Sequence, residues 1–117
     1  MFDEKVRPDR LAAYLAEPGH HLIVALADAQ IVGQCAAVVH HHPDKPTELV
    51  VADVGTALGY RRRGIARAMI AAMIDWAREL GCAEIWVGTE PDNGPALHLY
   101  SSFGLHPQPV IVFEGDI

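Results

Sequence analysis

Arginine crowds into one short stretch of an otherwise acidic chain: Arg61-Arg62-Arg63-Gly64-Ile65-Ala66-Arg67 holds four of the nine Lys and Arg residues, while the formal net charge is -6. Guanidinium groups clustered beside a glycine at the start of a helix are suited to a pyrophosphate. The first backbone N–H groups of a helix have no intrahelical partner, the macrodipole adds positive potential there, and Gly64 lets the backbone approach an anion. A nucleotide-bearing ligand is the first expectation. Such a helix start can also be solvated surface or a nucleic-acid contact, and the short motif alone leaves those readings open. The dinucleotide fingerprint and the P-loop are excluded, because neither three spaced glycines nor a Gly-Lys-Ser/Thr ending is present.

Other groups with chemical potential are the histidines and cysteines. His20-His21 opens one expected strand and His40-His41-His42 closes the next. Consecutive strand residues point to opposite faces, and no Cys or carboxylate spacing completes a zinc site, so a solvated or acceptor-lining role is expected and no metal. Cys35 and Cys82 sit among apolar or small residues and read as reduced thiols rather than a disulfide.

The elements that position these groups follow from periodicity. Leu11, Tyr14 and Leu15 mark a short helix over Arg10 to Glu17, stopped by Pro18-Gly19. Leu22 to Leu26 and Ile31 to Val39, separated by Asp28-Ala29-Gln30, read as a β-hairpin. After a polar loop from His40 to Pro46, Leu49 to Val54 reads as a strand buried on both faces. Ile65, Met69, Ile70, Met73, Ile74, Ala77 and Leu80 form the apolar stripe of a long helix closed by Gly81. Ala83 to Thr89 is a further strand, Pro91 to Gly94 a turn, a second helix runs through Phe103-Gly104, and Val110 to Phe113 fits a last strand. Strand, glycine loop, helix and strand make a βαβ unit, with the loop at the carboxyl edge of a parallel pair, where ligands collect.

With 117 residues, half of them apolar, the chain is expected to be a single domain with a real core. No apolar run approaches the roughly 18 to 20 residues that span a bilayer, and Met1-Phe2-Asp3-Glu4-Lys5 lacks the basic start of a signal peptide. A cytoplasmic protein without membrane contact is expected. The negative total disfavours general nucleic-acid binding and suits a cationic partner.

The arginine loop has company: Val54-Gly55-Thr56 precedes it, Tyr60 abuts it, and Asn93-Gly94-Pro95-Ala96-Leu97-His98-Leu99-Tyr100-Ser101-Ser102-Phe103-Gly104-Leu105 follows one strand later. This combination resembles the GNAT superfamily of N-acetyltransferases. Arg61, Gly64 and Ala66 match its signature Gln/Arg-x-x-Gly-x-Gly/Ala. Asn93, Ala96, Leu99, Tyr100 and Gly104 match its second signature, with Leu105 in the place of Phe. The resemblance implies an α/β (α+β) fold of the acyl-CoA N-acyltransferase type, a mixed central sheet flanked by helices, with acetyl-CoA as acetyl donor. It further implies that the backbone of Val54, Gly55 and Thr56 holds the pantetheine arm like an added strand. The loop Arg61, Arg62, Arg63, Gly64, Ile65, Ala66 and Arg67 would receive the pyrophosphate, and Asn93 would touch the pantetheine or the CoA side, serve as a turn and helix cap, or do both.

Acetyl transfer to an amine by direct attack, through a tetrahedral intermediate, needs a neutral nucleophile, a polarised thioester carbonyl and a proton for the departing thiolate. A strand-edge N–H near Val54 to Thr56 is the expected oxyanion donor. By the resemblance Tyr100 points at the sulfur and is the expected acid; without it, Tyr100 reads as a packed helix residue. Asp53 and Glu90, near the ends of strands at the cofactor edge, are the leading candidate bases, ahead of Glu48 and His40. Leu58 departs from the proline common in the loop before Tyr60. A larger departure lies at the start, where the family's first strand and first helix are expected to be missing and a homodimer partner or an open groove would compensate. The acceptor is expected to be a small-molecule amine, loosely as in small aminoglycoside 3-N-acetyltransferases. A protein N-acetyltransferase and a non-catalytic acyl-CoA-binding module are the alternatives.

Overall fold

A proline at the first helical position has no amide to leave unpaired, and Pro8 opens α1 (Pro8–Ala16), the first regular element of a computed structural model that describes residues 1–117. This helix begins two residues ahead of the expected start. The chain then forms β1 (His20–Ala27) and β2 (Gln30–His40), an antiparallel hairpin. Asp28 and Ala29 between them have φ of 50° and 63°, as the twist of a two-residue hairpin turn demands. Strand β3 (Glu48–Thr56) pairs antiparallel with β2, a 3-10 turn covers Leu58–Tyr60, and α2 (Ile65–Glu79) leads back to β4 (Glu84–Val87), parallel to β3. A last helix, α3 (Gly94–Ser101), follows β4, and the sheet order is β1-β2-β3-β4.

The apolar stripe of α2 decides where the core sits. Met69, Ile70, Met73 and Ala77 are buried against Cys35 and Ala37 of β2 and Leu49 and Val51 of β3. Burying a side chain such as Ile70 or Met73 stabilises the fold by about 1.5–3 kcal/mol. Leu80 leaves the stripe as the cap residue and is exposed, and Gly81, at φ 84°, ends the helix in the left-handed conformation expected of it. On the α2 side His21 meets Trp76 edge to face; its neighbour His20 points the other way and stacks on Tyr14 of α1. The Tyr14 hydroxyl donates to the carbonyls of His21 and Ala37, tying α1 to the hairpin.

Two expectations fail. Strand β3 is buried on one face only: Leu49 and Val51 are buried, whereas Val50 is half-buried and Ala52 exposed, because α2 covers a single face of this part of the sheet. The apolar run Val110 to Phe113 forms no strand, since the sheet ends at β4 and the tail meets no strand edge. Those four residues are exposed. The radius of gyration, 14.8 Å, accordingly exceeds the roughly 13 Å of a fully compact chain of this length.

Candidate active site

The ladder between β3 and β4 stops at Val51 and Val87, yet β3 continues to Thr56, held on its other side by β2 as far as Gly33. Beyond Val51 the two parallel strands therefore part. The backbone edge from Ala52 to Thr56 has no strand partner on the β4 side, and a cleft of about 660 Å³ opens there. Val54, Gly55, Thr56, Arg61, Arg62, Gly64, Ile65, Ala66, Arg67, Asn93 and Tyr100 line it, so the structure brings together nearly all the residues singled out in the sequence. Unpaired strand groups along a narrow slot are what an extended amide-bearing chain binds by strand addition.

At one end of this slot stands the start of α2. Gly64 is its N-cap at φ 76° and Arg62 has φ 64°, so two left-handed residues turn the chain sharply into the helix. Such turns build concave anion sites from successive N–H groups. The first intrahelical bond is donated by Ala68 to Gly64, which leaves the amides of Ile65, Ala66 and Arg67 free for a ligand. No side chain caps them. The guanidinium groups divide their duties: Arg61 reaches the Thr56 carbonyl, Arg63 lies over the Tyr60 ring outside the cleft wall, and Arg67 lies over Phe103 and donates to Ser102.

Helix α3 forms the opposite wall. Asn93 caps it, its Oδ1 accepting from the Ala96 N–H at 3.2 Å, so the cap reading of Asn93 holds and its side chain still borders the cleft. Tyr100 packs against the core cluster and lines the same space. Burial, with smaller contributions from Cys35 and Asp53, pushes its phenol above the ordinary tyrosine value. The group stays protonated at neutral pH, as a proton donor must.

The candidate bases separate. Between Ala36 and Ala37 the β2–β3 register shifts, so that Asp53 opposes Ala36 while Val51 opposes Ala37. This bulge sets Asp53 on the face away from α2 and into the cleft wall. There Gln34, fully buried, donates from Nε2 to Asp53 Oδ2 at 2.8 Å, while its Oε1 is buried without a partner. Glu90 lies exposed in the loop after β4, outside the cleft wall, where its carbonyl accepts from Asn93. Glu48 and His40 are at the other end of β3. Sequence reasoning missed Gln34; its signal was a lone long polar side chain inside the apolar run Ile31 to Val39. Gly55 has its own constraint, since a Cβ there would run into the Met1 carbonyl oxygen.

The histidines do not form one group. His20 and His21 lie beside Val38 and Ala37 in the ladder, whereas His40 and His42 meet Glu48. The expectation that no carboxylate joins the second cluster is therefore corrected, because the ladder sets Glu48 opposite His40 and the loop after β2 brings His42 back onto the same carboxylate. Cys35 and Cys82 are free thiols. Burial and then the charge of Asp53 push Cys35 up to about 11.

Comparison with known proteins is in line with this geometry. The sequence model of the Acetyltransferase (GNAT) family matches residues 2–105. An aminoglycoside N(6')-acetyltransferase type 1 of Salmonella typhimurium is 24% identical over 115 residues, covering 95% of this chain and 73% of that protein. Streptothricin acetyltransferase of Streptomyces lavendulae is 36% identical over 56 residues, 48% of this chain, and the match spans only 30% of that protein. Among solved structures, the aminoglycoside N-acetyltransferase AAC(6')-Iy in complex with CoA superposes with a TM-score of 0.80 at 22% identity, covering 93% of this chain and 87% of that one. That likeness is one of fold. No helix is long and apolar enough to cross a membrane.

Proposed function

Because this chain belongs to the Acetyltransferase (GNAT) family, we propose that it transfers the acetyl group of acetyl-CoA to the primary amine of a small cationic molecule. The observation that carries the reading is the parting of β3 and β4 beyond Val51 and Val87, flanked by free helix amides and by Tyr100. The slot accepts an extended pantetheine arm against Ala52 to Thr56. The amides of Ile65 to Arg67, with Arg61 and Arg62 nearby, take the pyrophosphate. Acetyl-CoA supplies the activated acyl group.

The protein's own groups then divide the proton traffic. Asp53, held by Gln34 on one face of β3, accepts a proton from the incoming ammonium, directly or through water, leaving the amine lone pair free to attack. A backbone N–H of the unpaired β3 edge donates to the developing oxyanion. As the C–S bond breaks, Tyr100 gives its phenolic proton to the departing sulfur, and the proton released from the new amide nitrogen restores the phenol. Both groups border the cleft, Tyr100 from the core side of the sheet and Asp53 from the other, so each proton transfer has its own side chain.

An acceptor carrying positive charge suits the net charge of -6. The aminoglycoside relative bears the N(6') designation, whereas the sequence resemblance pointed to 3-N enzymes, so the proposal stops at an amine of that general class. A homodimer in the cytoplasm completes the reading, and sedimentation tests the dimer. An amine panel with acetyl-CoA and thiol detection is the direct test. Tyr100→Phe is expected to lower kcat by about 10²–10⁴ with little change in KM for acetyl-CoA. An unchanged kcat removes Tyr100 as the acid, and the absence of any thermal shift with CoA removes the donor site.

A further inference from the structure

The other end of β3 carries a second constellation that acetyl transfer does not use. His40 closes β2 and stands opposite Glu48, the first residue of β3, across the ladder; His42 returns from the loop onto the same carboxylate. His40 Nδ1 and His42 Nε2 each lie 3.0 Å from Glu48 Oε1, and the three ligand atoms are within 4.8 Å of one another. The two rings are 4.1 Å apart. The His42 and Glu48 side chains are only 19% and 22% exposed, whereas His40, at 53%, leaves one side open to solvent.

We propose that His40, His42 and Glu48 bind a divalent transition-metal ion of the zinc class. Metal–ligand bonds of about 2.0–2.2 Å in tetrahedral geometry set ligand atoms roughly 3.4 Å apart, within a few tenths of an ångström of the two contacts to Glu48. Two imidazole nitrogens select a borderline ion over magnesium or calcium, which require oxygen ligands, and a water completes the fourth position. Eight strand steps separate Glu48 from Thr56, roughly 26 Å, so the ion takes no part in chemistry at the cleft. It clips loop 41–47 shut. His41, between the two ligands, turns away to Thr47 Oγ1 at 3.2 Å and supplies an internal control.

The test is calorimetric titration of the full chain, free of any polyhistidine tag and stripped with chelator, with zinc chloride. One ion per chain is expected, saturating below roughly 0.1 mM. His42→Ala and Glu48→Gln are each expected to weaken binding at least about tenfold and His41→Ala to leave it unchanged. Cobalt in place of zinc should give the visible absorption of a four-coordinate ion in the unmutated chain and lose it in Glu48→Gln. No saturable binding, or binding equally tight in the His42 and Glu48 variants, overturns the proposal; the first leaves a simple histidine–carboxylate network, the second moves the ion to other histidines.

Discussion

From Glu48 to Val51, strand β3 is paired on both sides and sends Leu49 and Val51 into the core; from Ala52 to Thr56 it has β2 on one side and a cleft on the other. One strand thus serves stability in its first half and, in the function proposed above, ligand binding in its second. The bulge at Ala36/Ala37 marks the change, because it resets which side chains face α2 just where the β4 ladder ends. What separates the halves is whether the backbone is already satisfied. A paired edge contributes only to folding, while an unpaired edge held rigid by its other neighbour is ready to receive a partner.

The strongest way to break this comparison is Leu49→Ala, in the paired half. Leu49 is 1% exposed, and its truncation is expected to cost about 2–5 kcal/mol in urea unfolding. Below the melting range the variant should still show a full thermal shift with CoA; loss of that shift in a folded variant would show that the halves are not separable. A somewhat smaller effect comes from pH. Cys35 lies across from Val54 in the cleft half yet is fully buried, with its thiol pushed up to about 11 from 9.0. A raised folded value means that the folded state holds the proton longer, so this stability is intact below about pH 9 and is lost as pH rises towards 11. The loss is about 2–3 kcal/mol, and Cys35→Ala should flatten that part of the stability–pH curve. The mildest is Gly64→Ala, with φ at 76° and open space around the added Cβ. It should cost about 1–2 kcal/mol of stability from backbone strain and weaken CoA more than Leu49→Ala does. If it unfolds the protein more than Leu49→Ala, the division of labour is wrong.

Much of this was legible in the sequence where one local rule sufficed. The stripe Ile65, Met69, Ile70, Met73 and Ala77, closed by Gly81, announced α2 and its buried face, and the arginine–glycine run announced the helix start that borders the cleft. Asn93 announced its cap. What stayed hidden depended on partners distant in the chain. Gln34 gains meaning only because the ladder brings Asp53 beside it. Glu48 joins His40 and His42 only across a hairpin, and consecutive-residue spacing had hidden that. Val110 to Phe113 has the composition of a strand, but a strand is defined by the edge it meets, and composition says nothing about that edge.

The parting of β3 from β4 also has a colloidal consequence. An open run of strand N–H and C=O groups pairs with any extended chain, including that of a neighbouring molecule, and so seeds aggregation. Acetyl-CoA bound along Ala52 to Thr56 as proposed covers those groups, so it should act as a solubility factor for this protein as well as a reactant, and purification in its presence should yield the better-behaved sample.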